Sequence, residues 1–188
     1  MQRTTINKII TVPNLLSFFR IALVPVISYS FLNSHRITCA SFIVLSFITD
    51  VLDGYIARKF NMVSALGKAL DPVADKLTLF SLLLCVSVKN PILYALVGVF
   101  IIKEVTVGAE GLILLKLTGT TYSAKWYGKV TTGLLYATCF LMVAFNSLPT
   151  VVVKTAFYTC VFFNLLSLVL YSAKNVKQIR RLSEVTVE

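Results

Sequence analysis

Asp50-Val51-Leu52-Asp53-Gly54-Tyr55-Ile56-Ala57-Arg58, followed after eight further residues by Gly67-Lys68-Ala69-Leu70-Asp71-Pro72-Val73-Ala74-Asp75, gathers four of the chain's eight acidic residues. The stretch lies in a sequence otherwise suited to lipid. Carboxylates in an apolar setting are costly to desolvate and persist where a cation or a reaction needs them. On helices, Asp50 and Asp53 fall on one face at i, i+3, and Asp71 and Asp75 on one face at i, i+4. Two helix ends joined by a short loop would bring both pairs to one point, so this segment is the candidate functional site.

Working outward, the composition sets the class. Hydrophobic residues make up 57% of the 188 residues and charged residues 14%, against roughly 25% charged in an ordinary soluble domain; mean hydropathy is +0.83. An all-α integral membrane protein is expected, read as a single domain over 1–188. At about 20 apolar residues per crossing, the chain has room for roughly six spans. The pattern places them near 14–33, 38–57, 69–88, 91–116, 127–146 and 150–172, a six-transmembrane-helix bundle. Asn33-Ser34-His35, Lys89-Asn90-Pro91 and Asn146-Ser147-Leu148-Pro149 read as turns. Residues 2–11 mix Arg3 and Lys8 with Ile6, Ile9 and Ile10. They suit a short interfacial helix and are too short and polar for a signal peptide.

The cations orient the bundle. Arg3 and Lys8, then Arg58, Lys59 and Lys68, then Lys116, Lys125 and Lys129, then Lys174, Lys177, Arg180 and Arg181 alternate with loops that carry one cation or none. The positive-inside rule puts both termini and the aspartates on the cytoplasmic side of a cell membrane. The net charge of +10 follows this topology and would attract anionic headgroups. It forms no motif of a nucleic-acid reader, so no nucleic-acid partner is expected.

Cys39, Cys85, Cys139 and Cys160 fall in apolar spans without metal-ligand spacing and read as small hydrophobic residues. His35, the only histidine, sits in a loop away from the aspartates, which speaks against a zinc site or a histidine-based triad. All-oxygen ligands instead select hard cations such as Mg²⁺ or Mn²⁺, which commonly bridge carboxylates to substrate phosphates. Gly54, Ala57 and Gly67 allow close backbone approach by a ligand, and Arg58 at a helix end suits a phosphate. Four carboxylates in reach would suffice for two ions.

The spacing D-x-x-D-G-x-x-A-R-(x8)-G-x-x-x-D-x-x-x-D resembles the signature of the CDP-alcohol phosphatidyltransferases, matched here at every specified position. The resemblance implies a six-helix membrane bundle, usually a homodimer, acting on CDP-diacylglycerol among membrane lipids. It implies that Asp50, Asp53, Asp71 and Asp75 hold two Mg²⁺ or Mn²⁺ ions on the donor pyrophosphate, and that Gly54, Ala57, Arg58 and Gly67 line the CDP moiety. Asp75 would also be the catalytic base, taking the proton of the acceptor hydroxyl as CMP leaves.

The segments Pro13–Arg20 and Leu66–Lys76 look like the branch whose acceptor is glycerol 3-phosphate. Arg20, Lys103, Lys125 and Lys129 are the candidate acceptor-binding cations. For Arg20 the alternative is snorkelling to the interface; for Lys103 it is pairing with Glu104 or Glu110. Lys103-Glu104 stands where that branch usually has Arg-Glu, and Gly128-Lys129-Val130-Thr131-Thr132 lacks the second lysine of its common motif. Phosphatidylglycerol as acceptor, giving cardiolipin, therefore stays open. A cation transporter would spread acids through the depth of several spans. An aspartate-motif prenyltransferase would carry a second acidic cluster.

Overall fold

The apolar stretches fold into helices wherever no Pro, Gly or Asn cluster interrupts them. The computed structural model describes residues 12–59, 65–118, 126–145 and 147–185, with side chains for these except 12–13, 51, 53–58, 65–69 and 180–185. Among these residues six helices follow in order: α1 (Val12–Leu32), α2 (Arg36–Lys59), α3 (Ala65–Lys89), α4 (Leu93–Thr118), α5 (Trp126–Ala144) and α6 (Thr150–Val185). Among the described residues there is no strand.

Among the described residues two segments, Asn14–Leu32 and Thr150–Ile179, are long and apolar enough to cross a membrane. The other helices carry more polar load. Asp50, Asp53 and Arg58 lie on α2, Lys68, Asp71, Asp75 and Lys76 on α3, and Lys103, Glu104 and Glu110 on α4; α5 opens on Trp-Tyr-Gly-Lys. Large apolar side chains nevertheless stand on the outside, among them Phe18 and Tyr29 of α1, Phe47 of α2, Ile102 and Val105 of α4 and Phe162 of α6. Such surface suits acyl chains rather than water. The interfacial helix expected at residues 2–11 lies outside the described residues.

The chain divides into two compact units. In the first, residues 1–89 with 139–146, α1 packs against both α2 and α3. Its inward stripe runs Asn14, Ser17, Arg20, Leu23, Ile27 and Phe31, all buried, at the three- and four-residue spacing of one helix face. The stripe is polar in its first turns and apolar thereafter. In the apolar part Ser28 hydrogen-bonds Ser81 of α3 at 2.7 Å, and the Cys39 thiol of α2 reaches the Ile27 carbonyl at 3.6 Å. α1 ends where Ser34 takes a left-handed φ of 61°. The His35 N–H then bonds the Ser30 carbonyl at 2.9 Å, which caps the helix and turns the chain into α2.

The second unit, residues 90–138 with 147–188, holds α4, the larger part of α5, and α6. Asn175 on α6 donates to the Glu110 carboxylate of α4 at 2.9 Å. Thr131 on α5 donates to the Tyr127 carbonyl at 2.8 Å and to the Phe163 carbonyl of α6 at 3.2 Å. Near the start of α5 the absence of a side chain at Gly128 admits Tyr171, whose ring also meets Tyr127 edge-on at 4.6 Å. All four cysteines are buried, and none is in a disulfide.

A Cβ on Gly128 would lie 2.6 Å from the Tyr171 hydroxyl and 3.1 Å from its ring. Gly128→Val is therefore expected to destabilise the protein by about 1–3 kcal/mol, the usual cost of overpacking. Thermal melts in detergent measure this. Adding Tyr171→Phe, which removes the closest atom, should restore part of the loss, and equal melting of all three proteins would contradict the packing account.

Candidate active site

Asp50 continues the buried stripe of α2, which runs through Cys39, Ile43 and Ser46 and brings the carboxylate round to α1. On α3, Ala74, Thr78, Leu82 and Val86 are buried, so that side of the helix faces its neighbours. Asp71 and Asp75, one turn apart, flank the start of this face. The polar end of α1 meets all three acids. The Ser17 hydroxyl donates to Asp71 Oδ1. Arg20 Nη1 donates to Asp50 Oδ1 at 2.5 Å and to Asp75 Oδ1. One guanidinium nitrogen thus ties carboxylates from α2 and α3 together, from a third helix.

Burial gives this arrangement a direction. The Arg20 side chain is 1% exposed, whereas those of Asp50 and Asp75 are 40% and 37% exposed. The cation lies beneath and the carboxylates open outward. A buried guanidinium is tolerable only with its charge met, and among the described residues Asp50 and Asp75 meet it. Both carboxylates remain more than a third exposed on that open side.

The donor set fits a hard divalent ion: it offers carboxylate oxygens, partly exposed, with no sulfur or imidazole beside them. Among the described residues no three acidic, cysteine or histidine side chains converge closely enough to hold an ion unaided. Asp53, the fourth acid, has its side chain outside the described ones. Asp53, water or substrate phosphate oxygens would complete the shell, as water and phosphates commonly do for Mg²⁺.

The remaining candidates divide between the units. Gly54, Ala57 and Arg58 occupy the last turns of α2, and Gly67 the first turn of α3. The motif therefore does run from one helix end to the next helix start, although those side chains are outside the described set. Arg20, read from sequence as an acceptor cation or a snorkelling residue, is buried against Asp50 and Asp75. In the second unit Lys103 is 3% exposed. It pairs with Glu104 at 2.6 Å and lies 5.9 Å from the centre of the Phe100 ring, the pairing that the sequence offered as its alternative role. Lys129 is exposed on α5; Lys125 lies outside the described residues.

Sequence reasoning gave no role to Ser17. The signal was present in the i, i+3, i+6 spacing of Asn14, Ser17 and Arg20, which continues into Leu23 and Ile27. A helix face that is polar for two turns and apolar for three points its polar end at something charged.

Comparison with known proteins agrees with the motif. The sequence profile of the CDP-alcohol phosphatidyltransferase family matches residues 10–170. A CDP-diacylglycerol–glycerol-3-phosphate 3-phosphatidyltransferase of Aquifex aeolicus is 37% identical over 123 residues, which are 64% of this chain and 68% of the relative. The enzyme of the same name from Rickettsia bellii is 54% identical over 68 residues, 35% of this chain and 38% of that protein. A Schizosaccharomyces pombe protein named as a cardiolipin synthase (CMP-forming) and mitochondrial hydrolase fusion is 37% identical over 105 residues, 56% of this chain and 18% of the fusion. The alignments thus span less than two fifths of the Rickettsia and fission-yeast proteins. With the family profile running from before α1 into α6 and every position of the aspartate signature present, the chain belongs to the CDP-alcohol phosphatidyltransferase family.

Proposed function

We propose that this protein transfers a phosphatidyl group from CDP-diacylglycerol to glycerol 3-phosphate, giving phosphatidylglycerophosphate and CMP. The observation that carries the reading is the meeting of Asp50 and Asp75 on Arg20, with Asp71 held by Ser17 one turn away, inside a complete family signature. The names of the Aquifex and Rickettsia relatives support the choice of acceptor. The family match across both compact units supports one catalytic domain.

In this reading Asp50, Asp53, Asp71 and Asp75 are the ligands of two Mg²⁺ or Mn²⁺ ions. Bound there, the ions would neutralise the pyrophosphate and polarise its phosphoryl group. The chain's own residues do the rest. Gly54, Ala57 and Gly67 let the CDP moiety approach the backbone, and Arg58 offers a planar fork to its phosphate. Asp75 takes the proton of the acceptor hydroxyl while that oxygen bonds to the phosphorus bearing diacylglycerol, and the bond from this phosphorus to CMP breaks. Lys129 and Lys125 are the candidate cations for the acceptor phosphate, with Lys103 available only at the expense of its pair with Glu104.

Phosphatidylglycerol as acceptor, giving cardiolipin, is the second reading. It is favoured by the name of the fission-yeast relative and by the engagement of Lys103 with Glu104. The wider proposal is a six-span bundle in the cell membrane, with termini and aspartates on the cytoplasmic side and two copies pairing. The alternation of basic and uncharged loops and the exposed apolar side chains support it. Labelling of sealed vesicles from one side and light scattering on solubilised protein read orientation and pairing.

Purified protein given CDP-diacylglycerol with glycerol 3-phosphate or phosphatidylglycerol should release CMP and form phosphatidylglycerophosphate by mass spectrometry. Cardiolipin as the main product would transfer the assignment to the second reading. Asp75→Asn keeps the side-chain shape but cannot accept the proton, so turnover should fall by about two or more orders of magnitude. Near-normal turnover of that variant would remove Asp75 as the base. EDTA should abolish activity, with Mg²⁺ or Mn²⁺ restoring it. Asp50→Ala and Asp71→Ala should stay inactive at any metal concentration, and full activity in EDTA would end the metal account.

A further inference from the structure

A guanidinium buried to 1% exposure beneath two outward-facing carboxylates is part of the chemistry of the site. The oxygens that Arg20 holds belong to the residues proposed as metal ligands. Two positive groups drawing on one set of oxygens repel each other, and in a partly buried setting that repulsion is weakly screened. We propose that Arg20 is a built-in counter-cation of the carboxylate cluster: it holds α2 and α3 together through Asp50 and Asp75, and it opposes divalent-ion binding there.

The inference rests on the reading of the aspartates as ligands and adds to it the cation that competes with the ion. Coupling between two ligands of one site is reciprocal. If Arg20 weakens ion binding, a bound ion weakens the grip of Arg20 on the carboxylates by the same factor. The site can then assemble on the protein's own charge, and its affinity for the divalent ion is set lower than four bare carboxylates would give. Ser17 has no such effect, since a hydroxyl holds Asp71 without bringing charge.

The test uses the full-length protein in detergent without substrate, comparing wild type, Arg20→Met and Arg20→Lys. Mn²⁺ binding is read from the paramagnetic resonance signal of the free ion, and melting is read in EDTA and in excess Mn²⁺. Arg20→Met should bind Mn²⁺ about ten- to hundredfold more tightly than wild type, the size of a lost charge-assisted contact. Its melting temperature should fall in EDTA and rise further on adding Mn²⁺ than that of wild type. Arg20→Lys, with a point charge in place of the planar fork, should lie between the two.

A merely structural arginine would lower melting equally in both conditions without tightening Mn²⁺ binding. Folded Arg20→Met that binds Mn²⁺ as wild type does, or more weakly, overturns the proposal. Where Arg20→Met does not fold in either condition, Arg20→Lys decides by the same criterion. A wild-type protein that binds no Mn²⁺, either alone or with CDP-diacylglycerol, defeats the metal reading and this inference with it, whereas normal wild-type binding with unchanged variants defeats this inference alone.

Discussion

The first unit is organised around the compensation of one buried positive charge. Arg20 stands on α1 among otherwise small or apolar inward residues, 1% exposed, where an unmatched guanidinium would cost several kcal/mol. That cost is met by Asp50 of α2 and Asp75 of α3. The requirement runs both ways, because carboxylates at the edge of an apolar bundle need a cation as much as Arg20 needs an anion. Three helices are therefore committed to one another at the point where the candidate chemistry takes place. Below it, Leu23, Ile27, Leu79 and Leu82 contribute burial without direction.

The second unit solves a similar problem locally. Lys103 is 3% exposed, and one partner of its charge is the next residue, Glu104. Adjacent helical positions point about 100° apart, so the two long side chains must fold toward each other to meet at 2.6 Å. The pair makes α4 locally neutral and leaves Glu110 to Asn175 of α6. A polar contact between two helices thus coexists with a charge pair within one of them.

Much of this organisation was legible in the sequence, for reasons that differ by element. All six apolar stretches produced helices, because each lacks a central turn cluster. Pro25 and Pro72 are carried inside α1 and α3. The least accurate boundary was the last. α6 was expected near 150–172 and continues to Val185, since apolar content ends before helix propensity does and nothing from Tyr171 onward breaks a helix. α3 begins at Ala65, ahead of the apolar run, which puts Gly67 in its first turn. The aspartates were readable as a cluster because acids are scarce in such a chain. The roles of Ser17 and Arg20 were not, because a serine in an apolar run is ordinary and an arginine near a span end has an interfacial alternative. Only the third dimension reveals that their face of α1 is turned toward the motif.

The stripe on α1 also settles a question of register. An apolar stripe is nearly indifferent to translation, since leucine and isoleucine pack about as well one turn up or down, a step of about 5.4 Å. Charge is not indifferent. A slip of one turn would carry the guanidinium away from both carboxylates and set it against apolar side chains, while Ser17 would lose Asp71. The height of α1 along its neighbours is therefore encoded in two side chains at one end of the helix. The apolar remainder supplies adhesion and is free to vary in composition without changing where the helix sits.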